Sequence, residues 1–328
     1  MFDIVVAGEY LIDFTPSGRG SMGNPAYEMN PGGGPPNCAA AVSALGGKAA
    51  VIGAVGDDLF GRFLKHMLTT CNIEPRGVQT VPVIHTTLAF VSLQDNGERE
   101  FAFLRDPGAD TELKEELLDY SLIDQCRNLH FSSLTLKRDP ARTATLSAVR
   151  YAKERGIQVS YDPNYRAMLW DSKEQAIQEL YGALPLADIV KMSEEEMAML
   201  LDVSADDPEA GTKKLLDMGV KTCYITYGAK GAYYATATEH GFVDGFSVQA
   251  VDTTGCGDSF MGSAIYMQFN HPEFGLPERV RFANAVGALC ATKKGGMMAM
   301  PSYEQAFALF KASKILSLSF IKSTHRTN

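Results

Sequence analysis

Two nucleotide fingerprints are missing from this chain: no GxxxxGK[ST] loop occurs, and no GxGxxG follows the first strand-like run. Cysteine is sparse, at 38, 71, 126, 223, 256 and 290, with no CxxC pair and no cluster at metal-ligand spacing. That argues against a disulfide framework or a zinc site and for reduced thiols in the cytosol. No apolar run is long enough to span a bilayer. The opening MFDIVVAGEYLIDF has no basic leader and meets Glu9 early, so it reads as a strand rather than a signal peptide. Positive charge is also short. A net charge of −9 and a pI near 5.2 argue against a nucleic-acid surface, which needs a basic face.

What is present is the composition of an ordinary globular protein, 45% hydrophobic and 21% charged over 328 residues. Short apolar runs at 2–8, 49–56, 128–133, 157–163, 188–193 and 222–228 predict strands, and their near-continuous apolar character suits strands covered on both faces. Helical patterns alternate with them at about 36–46, 57–70, 140–155, 172–184, 194–201, 208–218, 258–269 and 277–292. The alternation predicts an α/β fold with crossover helices and a mostly parallel central sheet. Residues 84–105 break the rhythm. They read as two strands about an Asp95-Asn96-Gly97 turn, since Asn and Gly accept positive φ. With the extended stretch at 10–30 they predict a small β-sheet lid over the C-terminal ends of the main strands, its strands within about 10–31 and 83–106.

Two glycine clusters precede helices. In NPGGGPPNCAAAVSALGG, residues 30–47, bare glycines allow a ligand close to the backbone, prolines suit the first helical turn, and Asn37 offers a donor and an acceptor to a hydroxyl. A plain strand-to-helix turn explains the same residues equally well. In VDTTGCGDSF, residues 251–260, Gly255, Cys256 and Gly257 precede Asp258 at a helix start. Asp258 either caps that helix or stands beside an anion held by glycine N–H groups. The dipole should keep it ionised, so that it would act through proximity rather than a raised pKa. Asp13 is expected at the end of the first strand, where a carboxylate can orient adjacent sugar hydroxyls.

Taken in order, GEYLIDF, NPGGGPPN, FLRDPGAD, SYDPNYR, KMSEEEM, TYGAKGAYY and DTTGCGDSF resemble the ribokinase-like (PfkB) family of carbohydrate kinases over about residues 3–303, and within it the fructokinase branch most closely. The resemblance implies a ribokinase-like three-layer sandwich with a β-sheet lid, a single kinase domain over 1–328. It implies ATP-dependent phosphorylation of a ketose hydroxyl, fructose to fructose 6-phosphate, with 2-keto-3-deoxygluconate as the alternative substrate. Asp258 then takes the hydroxyl proton, and Gly255, Cys256 and Gly257 form the anion hole. Asp13, Gly32, Gly33 and Asn37 match sugar-binding positions, and Arg105 and Arg166 match arginines near the substrate. Thr226, Gly228 and Gly231 match an element by the nucleotide phosphates, and Asn284 a position beside the adenine. Ser193 replaces the Asn of an N-x-x-E motif that organises magnesium and phosphate, while Glu196 is retained; Cys256 replaces a common Ala. The implied cofactors are ATP, Mg2+ and K+, the last near Asp252, Thr254 and Gly295. The implied setting is cytoplasmic, as a homodimer with no membrane or nucleic-acid partner. Two rivals stand further off: a Rossmann-like oxidoreductase, disfavoured by the missing fingerprint, and a catalytically silent sugar-binding protein of the same fold, disfavoured by the intact Asp258.

Overall fold

Apolar runs and amphipathic segments alternate in the computed structural model, which describes residues 1–93 and 99–312 and the side chains of all of these except 92, 93 and 99–101. In chain order the elements are β1 (Ile4–Ala7), β2 (Leu11–Arg19), β3 (Pro25–Gly32), α1 (Gly34–Ala44), β4 (Ala49–Gly56), α2 (Leu59–Thr70), β5 (Ile73–Val81), β6 (Leu88–Leu93) and β7 (Arg99–Leu104). There follow α3 (Tyr120–Asp124), β8 (Asn128–Ser132), α4 (Ala141–Glu154), β9 (Gln158–Asp162), α5 (Lys173–Ala183), β10 (Ile189–Ser193), α6 (Glu194–Leu201) and α7 (Pro208–Asp217). The series ends with β11 (Thr222–Thr226), β12 (Gly231–Ala235), β13 (His240–Asp244), α8 (Cys256–Asn270) and α9 (Leu276–Ala291).

The large sheet runs β13-β12-β11-β10-β9-β8-β1-β4-β5. Every pairing from β5 to β11 is parallel, and only β12 and β13 run antiparallel at one edge. Because side chains alternate across a strand, β1 sends Val5 and Ala7 to one face and Ile4 and Val6 to the other. The first face packs against α3 to α7, and the second against α1, α2, α8 and α9, giving helix, sheet and helix layers. Both faces are dry, which is why these strands are continuous apolar runs. The expected three-layer sandwich is therefore what the chain forms.

A second, four-stranded sheet orders β3-β2-β6-β7. It is the expected lid, with β6 and β7 antiparallel; the Asp95-Asn96-Gly97 turn lies outside the described residues. The predicted main strands and helices all form, within a few residues at their ends. β5, β12 and β13 were not foreseen: β5 carries Pro75, Arg76 and Gly77, which break an apolar run, and β12 sits inside a stretch read as a phosphate element. Asp13 is a correction of place, since it lies within β2, in register with Asn30 and Ala89, rather than at the end of β1.

Ligand sites in such sheets form where strand order reverses, outside the carboxyl ends. Here β1 has β4 on one side and β8 on the other. Glu9, just past β1, bridges that point, accepting from Ser132 Oγ at the end of β8 at 2.7 Å. Two helices converge on the same place. α1 is built from Cys38, Ala39, Ala40 and Ala41, and Gly262 of α8 lies so close to it that a methyl group there would strike the Cys38 carbonyl and come within 3.0 Å of Ala41 Cβ. The small residues let the two backbones touch.

Gly262→Ala is expected to destabilise the fold by about 1–3 kcal/mol through overpacking, despite alanine's better helix propensity. A denaturant titration checks it; an unchanged or higher midpoint would show that the two helices have slack.

Candidate active site

The corner is made by two helix starts. Gly33, at φ 115°, ends the run before α1, and a side chain on it would collide with the Glu9 carbonyl. Gly34 N donates to Glu9 Oε1 at 2.8 Å, and Pro35 and Pro36 occupy the first turn, where no N–H partner is needed. α8 starts from Gly255, at φ 79°, in the left-handed region that favours glycine. No side chain caps it. The helix thus begins at Cys256, two residues earlier than expected, and Asp258 lies in its first turn without capping it. The N–H of Cys256 donates to Thr253 O at 3.2 Å, so the open donors of this turn are those of its glycines, and Gly255 and Gly257 both line the cavity. The Cys256 thiol is pushed up by its hydrogen bond to Cys290 and by burial, which keeps it protonated.

Asp258 turns away from its own helix. Its Oδ2 accepts from Asn37 Nδ2 at 2.9 Å and its Oδ1 from Asn164 Nδ2 at 3.3 Å. Asn164 reaches it from a left-handed backbone conformation, φ 44°. Burial pushes Asp258 up to about 7, Asp162 adds to the rise, and Lys191, the Asn37 hydrogen bond and Arg166 oppose it. The expectation of an ordinary, ionised carboxylate at this helix start is therefore corrected: burial carries Asp258 to about 7. Asn37 Oδ1 is buried and makes no hydrogen bond in the structure.

On the sugar side of the expected site, Gly32 and Gly33 close β3 against Asp13, whose carboxylate fills the space a Gly32 side chain would take. Burial lifts Asp13 to about 7, opposed by Arg166 and assisted by Asp252 and Glu9. Asp13, Asn30, Asn37 and Arg166 all line one cavity of ≈ 1070 Å³. Arg166 is exposed at its wall, with Nη1 donating to Tyr165 O at 2.9 Å. Arg105 is not on that wall. Its Nε and Nη2 donate to Asp110 Oδ2 at 2.9 and 2.7 Å, and Nη2 also donates to Leu134 O at 2.9 Å. The expected substrate arginine is instead a buried brace beneath the lid, because Asp110 lies five residues on and takes its charge.

Thr226 and Ser193, the last residues of β11 and β10, and Gly228, just past β11, line the cavity too. Ser193 and Glu196 form a capping box: Glu196 N donates to Ser193 Oγ at 3.2 Å and Ser193 N to Glu196 Oε2 at 2.8 Å. The other oxygen of Glu196 accepts from Tyr165 N at 2.7 Å. Gly231 does not line the cavity; its φ of 126° and the crowding by the Val243 carbonyl make it the glycine that β12 and β13 need in order to pair. Asn284 is likewise off the wall, its Nδ2 donating to Val243 O and Asp244 O at 3.0 and 3.2 Å, so that it ties α9 to β13. Asp252, Thr254 and Gly295 do come together. Asp252 Oδ1 accepts from Thr254 N and Oγ1 at 3.0 and 2.8 Å, and its Oδ2 from Gly295 N at 3.4 Å. This pattern closes a turn with the same carboxylate a cation would use.

Sequence reasoning passed over several residues of the corner. Glu9 is 1% exposed and grips Gly34 and Ser132; Asn164 holds Asp258; Lys191 Nζ donates to Asp162 Oδ2 at 2.8 Å, both side chains buried. Asp162 and Asn164 lie within SYDPNYR and Lys191 within KMSEEEM, so the signal was their presence in motifs at strand ends.

A glycine-lined helix start facing a carboxylate of near-neutral pKa, across a cavity with hydroxyl-binding side chains, is the layout of a phosphotransferase acting on an alcohol. A model of the pfkB family of carbohydrate kinases matches residues 1–302, and the chain belongs to that family. Fructokinase-1 of Zea mays is 41% identical over 315 residues, 94% of this chain and 97% of the relative. Among solved structures, the fructokinase of Xylella fastidiosa with bound ATP has a TM-score of 0.86 at 30% identity, covering 96% of this chain and 100% of its own. The fructokinase of Vibrio cholerae O395, in its fructose, ADP and calcium ion bound form, has a TM-score of 0.83 at 34% identity over 94% of this chain and 98% of its own. The protein is a fructokinase-like sugar kinase. No helix among the described residues is long and apolar enough to cross a membrane.

The raised carboxyls carry a stability cost with a definite sign. Asp13 goes from 3.8 to about 7 on folding, so its contribution is fully present below pH 4, where both states are protonated, and is lost as pH rises through 7. Asp13→Asn should match the wild-type melting temperature near pH 4 and exceed it at pH 8, by the equivalent of about 1–4 kcal/mol. Calorimetry across that range checks it; a variant less stable at pH 8 than the wild type would refute the assignment.

Proposed function

We propose that the protein transfers the γ-phosphoryl of ATP to the 6-hydroxyl of fructose. The observation that carries this reading is Asp258 held between Asn37 and Asn164 on the first turn of α8, with Gly255 and Gly257 on the same cavity wall. The ATP bound in the fructokinase of Xylella fastidiosa and the fructose and ADP bound in that of Vibrio cholerae O395 support it.

The chain's own residues divide the work. Asp13 and Asn37 accept and donate to sugar hydroxyls, which fixes the ketose with one alcohol toward Asp258. Asp258 takes the proton of that alcohol as its oxygen attacks, and a pKa near 7 leaves it able both to be ionised and to accept. The glycine N–H groups of α8 and the helix dipole meet the charge of the moving phosphoryl. Arg166, exposed on the wall and close enough to lower Asp258, faces the phosphate from the open side. Thr226 and Gly228 border the nucleotide phosphates.

Magnesium fits this site only as an ion carried by the nucleotide. Both oxygens of Glu196 are taken by backbone N–H groups, and no group of three or more His, Cys, Asp or Glu side chains among the described residues could hold a metal. When bound, the ion would neutralise phosphate charge.

A neutral ketose suits the cavity better than an acid sugar. Glu9, Asp13, Asp252 and Asp258 line it, while Arg105, which would have paired with a carboxylate, is committed to Asp110. A coupled assay with ATP should therefore show kcat/KM for fructose well above that for 2-keto-3-deoxygluconate. Asp258→Asn should lower kcat about 10²–10⁴-fold, the usual worth of a general base. Preference for the acid sugar would reverse the substrate assignment, and near-normal turnover of the variant would remove Asp258 from its role.

A further inference from the structure

Beneath the reaction corner lies an ion pair that the roles assigned so far leave unused. Lys191, on β10, and Asp162, at the end of β9, meet at 2.8 Å with side chains 8% and 2% exposed. A methyl group on Gly257 would come within 2.6 Å of Lys191 Nζ, so the ammonium lies directly against the first turn of α8. Lys191 also lines the cavity. A cation placed at the positive end of a helix is unfavourable for that cation and favourable for any anion bound there. Burial works against its charge, but Asp162, Glu196 and Asp258 more than compensate, and it is held above the ordinary lysine range.

We propose that the Lys191–Asp162 pair is the charge support of the reaction corner: Lys191 backs the glycine amides of α8 with a full positive charge, and Asp162, accepting from Asn164 N at 3.1 Å, ties that charge to the residue that holds Asp258. This inference rests on Asp258 being the base. Both are positioning residues, since each acts through α8 or Asp258. A side chain on Gly34 would meet both Asp258 and the Glu9 carboxyl past β1, and other groups face Asp258 from the elements around it. Asp162 comes from β9, Asn164 and Arg166 from the segment after it, Lys191 from β10, Asn37 and Cys38 from α1, and Cys290 from α9, with Cys256 on α8 itself. Of these, Asp162 and Lys191 form the buried ion pair, while Glu9 spends its oxygens on Gly34 N and Ser132 Oγ. His130, on β8 behind them, is held down to about 4 by burial, so it is neutral and adds no charge.

The sign follows. Asp162 raises Asp258 and Lys191 lowers it, and the reaction needs Asp258 ionised. Lys191→Met should therefore shift the acid limb of the kcat profile to higher pH, and Asp162→Asn to lower pH, each by about one unit. The 13C carboxyl shift of labelled Asp258, titrated in the protein without substrates, should move in the same two directions. Each single variant leaves a buried charge uncompensated, so the double variant Asp162→Asn/Lys191→Met serves where one fails to fold. Its limb should lie between those of the single variants, with kcat at the plateau down about tenfold or more because the amides have lost their cation. Shifts of the same sign, no shift, or a double variant with wild-type kcat would overturn the proposal while an inactive Asp258→Asn left the base in place. An active Asp258→Asn would instead overturn both.

Discussion

Backbone contact between α1 and α8 is the constraint on which the site depends. A glycine-rich helix start binds anions only if it points at the ligand, and an Asn and an Asp drawn from helices far apart in the chain meet only if those helices fix each other's position. The alanines of α1 and Gly262 of α8 remove the side chains that would hold the axes apart. Asn37 and Asp258, 221 positions apart, are then within hydrogen-bond distance. The apolar residues of both helices bury against one face of the sheet, so hydrophobic burial maintains a polar geometry it does not touch. A larger residue in this contact would push Asp258 and Asn37 apart.

The same packing explains the electrostatics. Glu9, Asp13, Asp162, Asp252 and Asp258 crowd into a small volume, in a chain that is already acidic overall. In water such carboxylates would all be ionised; burial and mutual repulsion raise several of them instead. Glu9 tolerates its position because it accepts from Gly34 N and Ser132 Oγ, a structural use of both oxygens. Asp258 receives weaker support, from two side-chain amides, and is the one placed at the glycine amides. Two buried acids thus differ in function through the donors around them, as expected where environment sets acid and base roles. The strain of this arrangement is local, and the extensive dry faces of the sheet carry the stability that offsets it.

Much of this was legible in the sequence, for physical reasons that also mark where reading fails. Strands buried on both faces and helices of regular period announce themselves, and the glycine clusters did because only glycine suits the positive φ of Gly33 and Gly255. Asp258 and Asn37 were found through motifs next to those glycines, and Asp13 through its place after the first strand-like run. Lys191 and Asp162 were not singled out, since a lone lysine in an apolar strand shows no period, and its partner lies on another strand. Arg105 and Asn284 show that a motif fixes where a residue sits in the chain and leaves open what takes its hydrogen bonds. Arg105 meets Asp110, and Asn284 meets the carbonyls of β13. The raised pKa of Asp258 was missed for a related reason: the dipole follows from sequence, whereas desolvation is known only when the far elements are in place.

Arg105 also bears on how the lid works. The entry of the chain into β6 is gripped by two carboxylates of the main body: Asp58 accepts from Thr86 N and Oγ1, each at 2.8 Å, and Asp110 accepts from Thr87 Oγ1 and from Arg105, at the exit of β7. Both ends of the lid hairpin are thus tied to the body through carboxylates, and the Arg105–Asp110 pair is a charge-assisted bond in a buried setting. β6 pairs in turn with β2, in register at Asp13. The brace therefore runs through the sheet ladder to the cavity wall, from Arg105 and Asp110 to β6, from β6 to β2, and from β2 to the Asp13 carboxylate. Arg105 acts, in this geometry, by holding the strand next to the one that carries Asp13, so the position of that carboxylate is set in advance by the lid sheet.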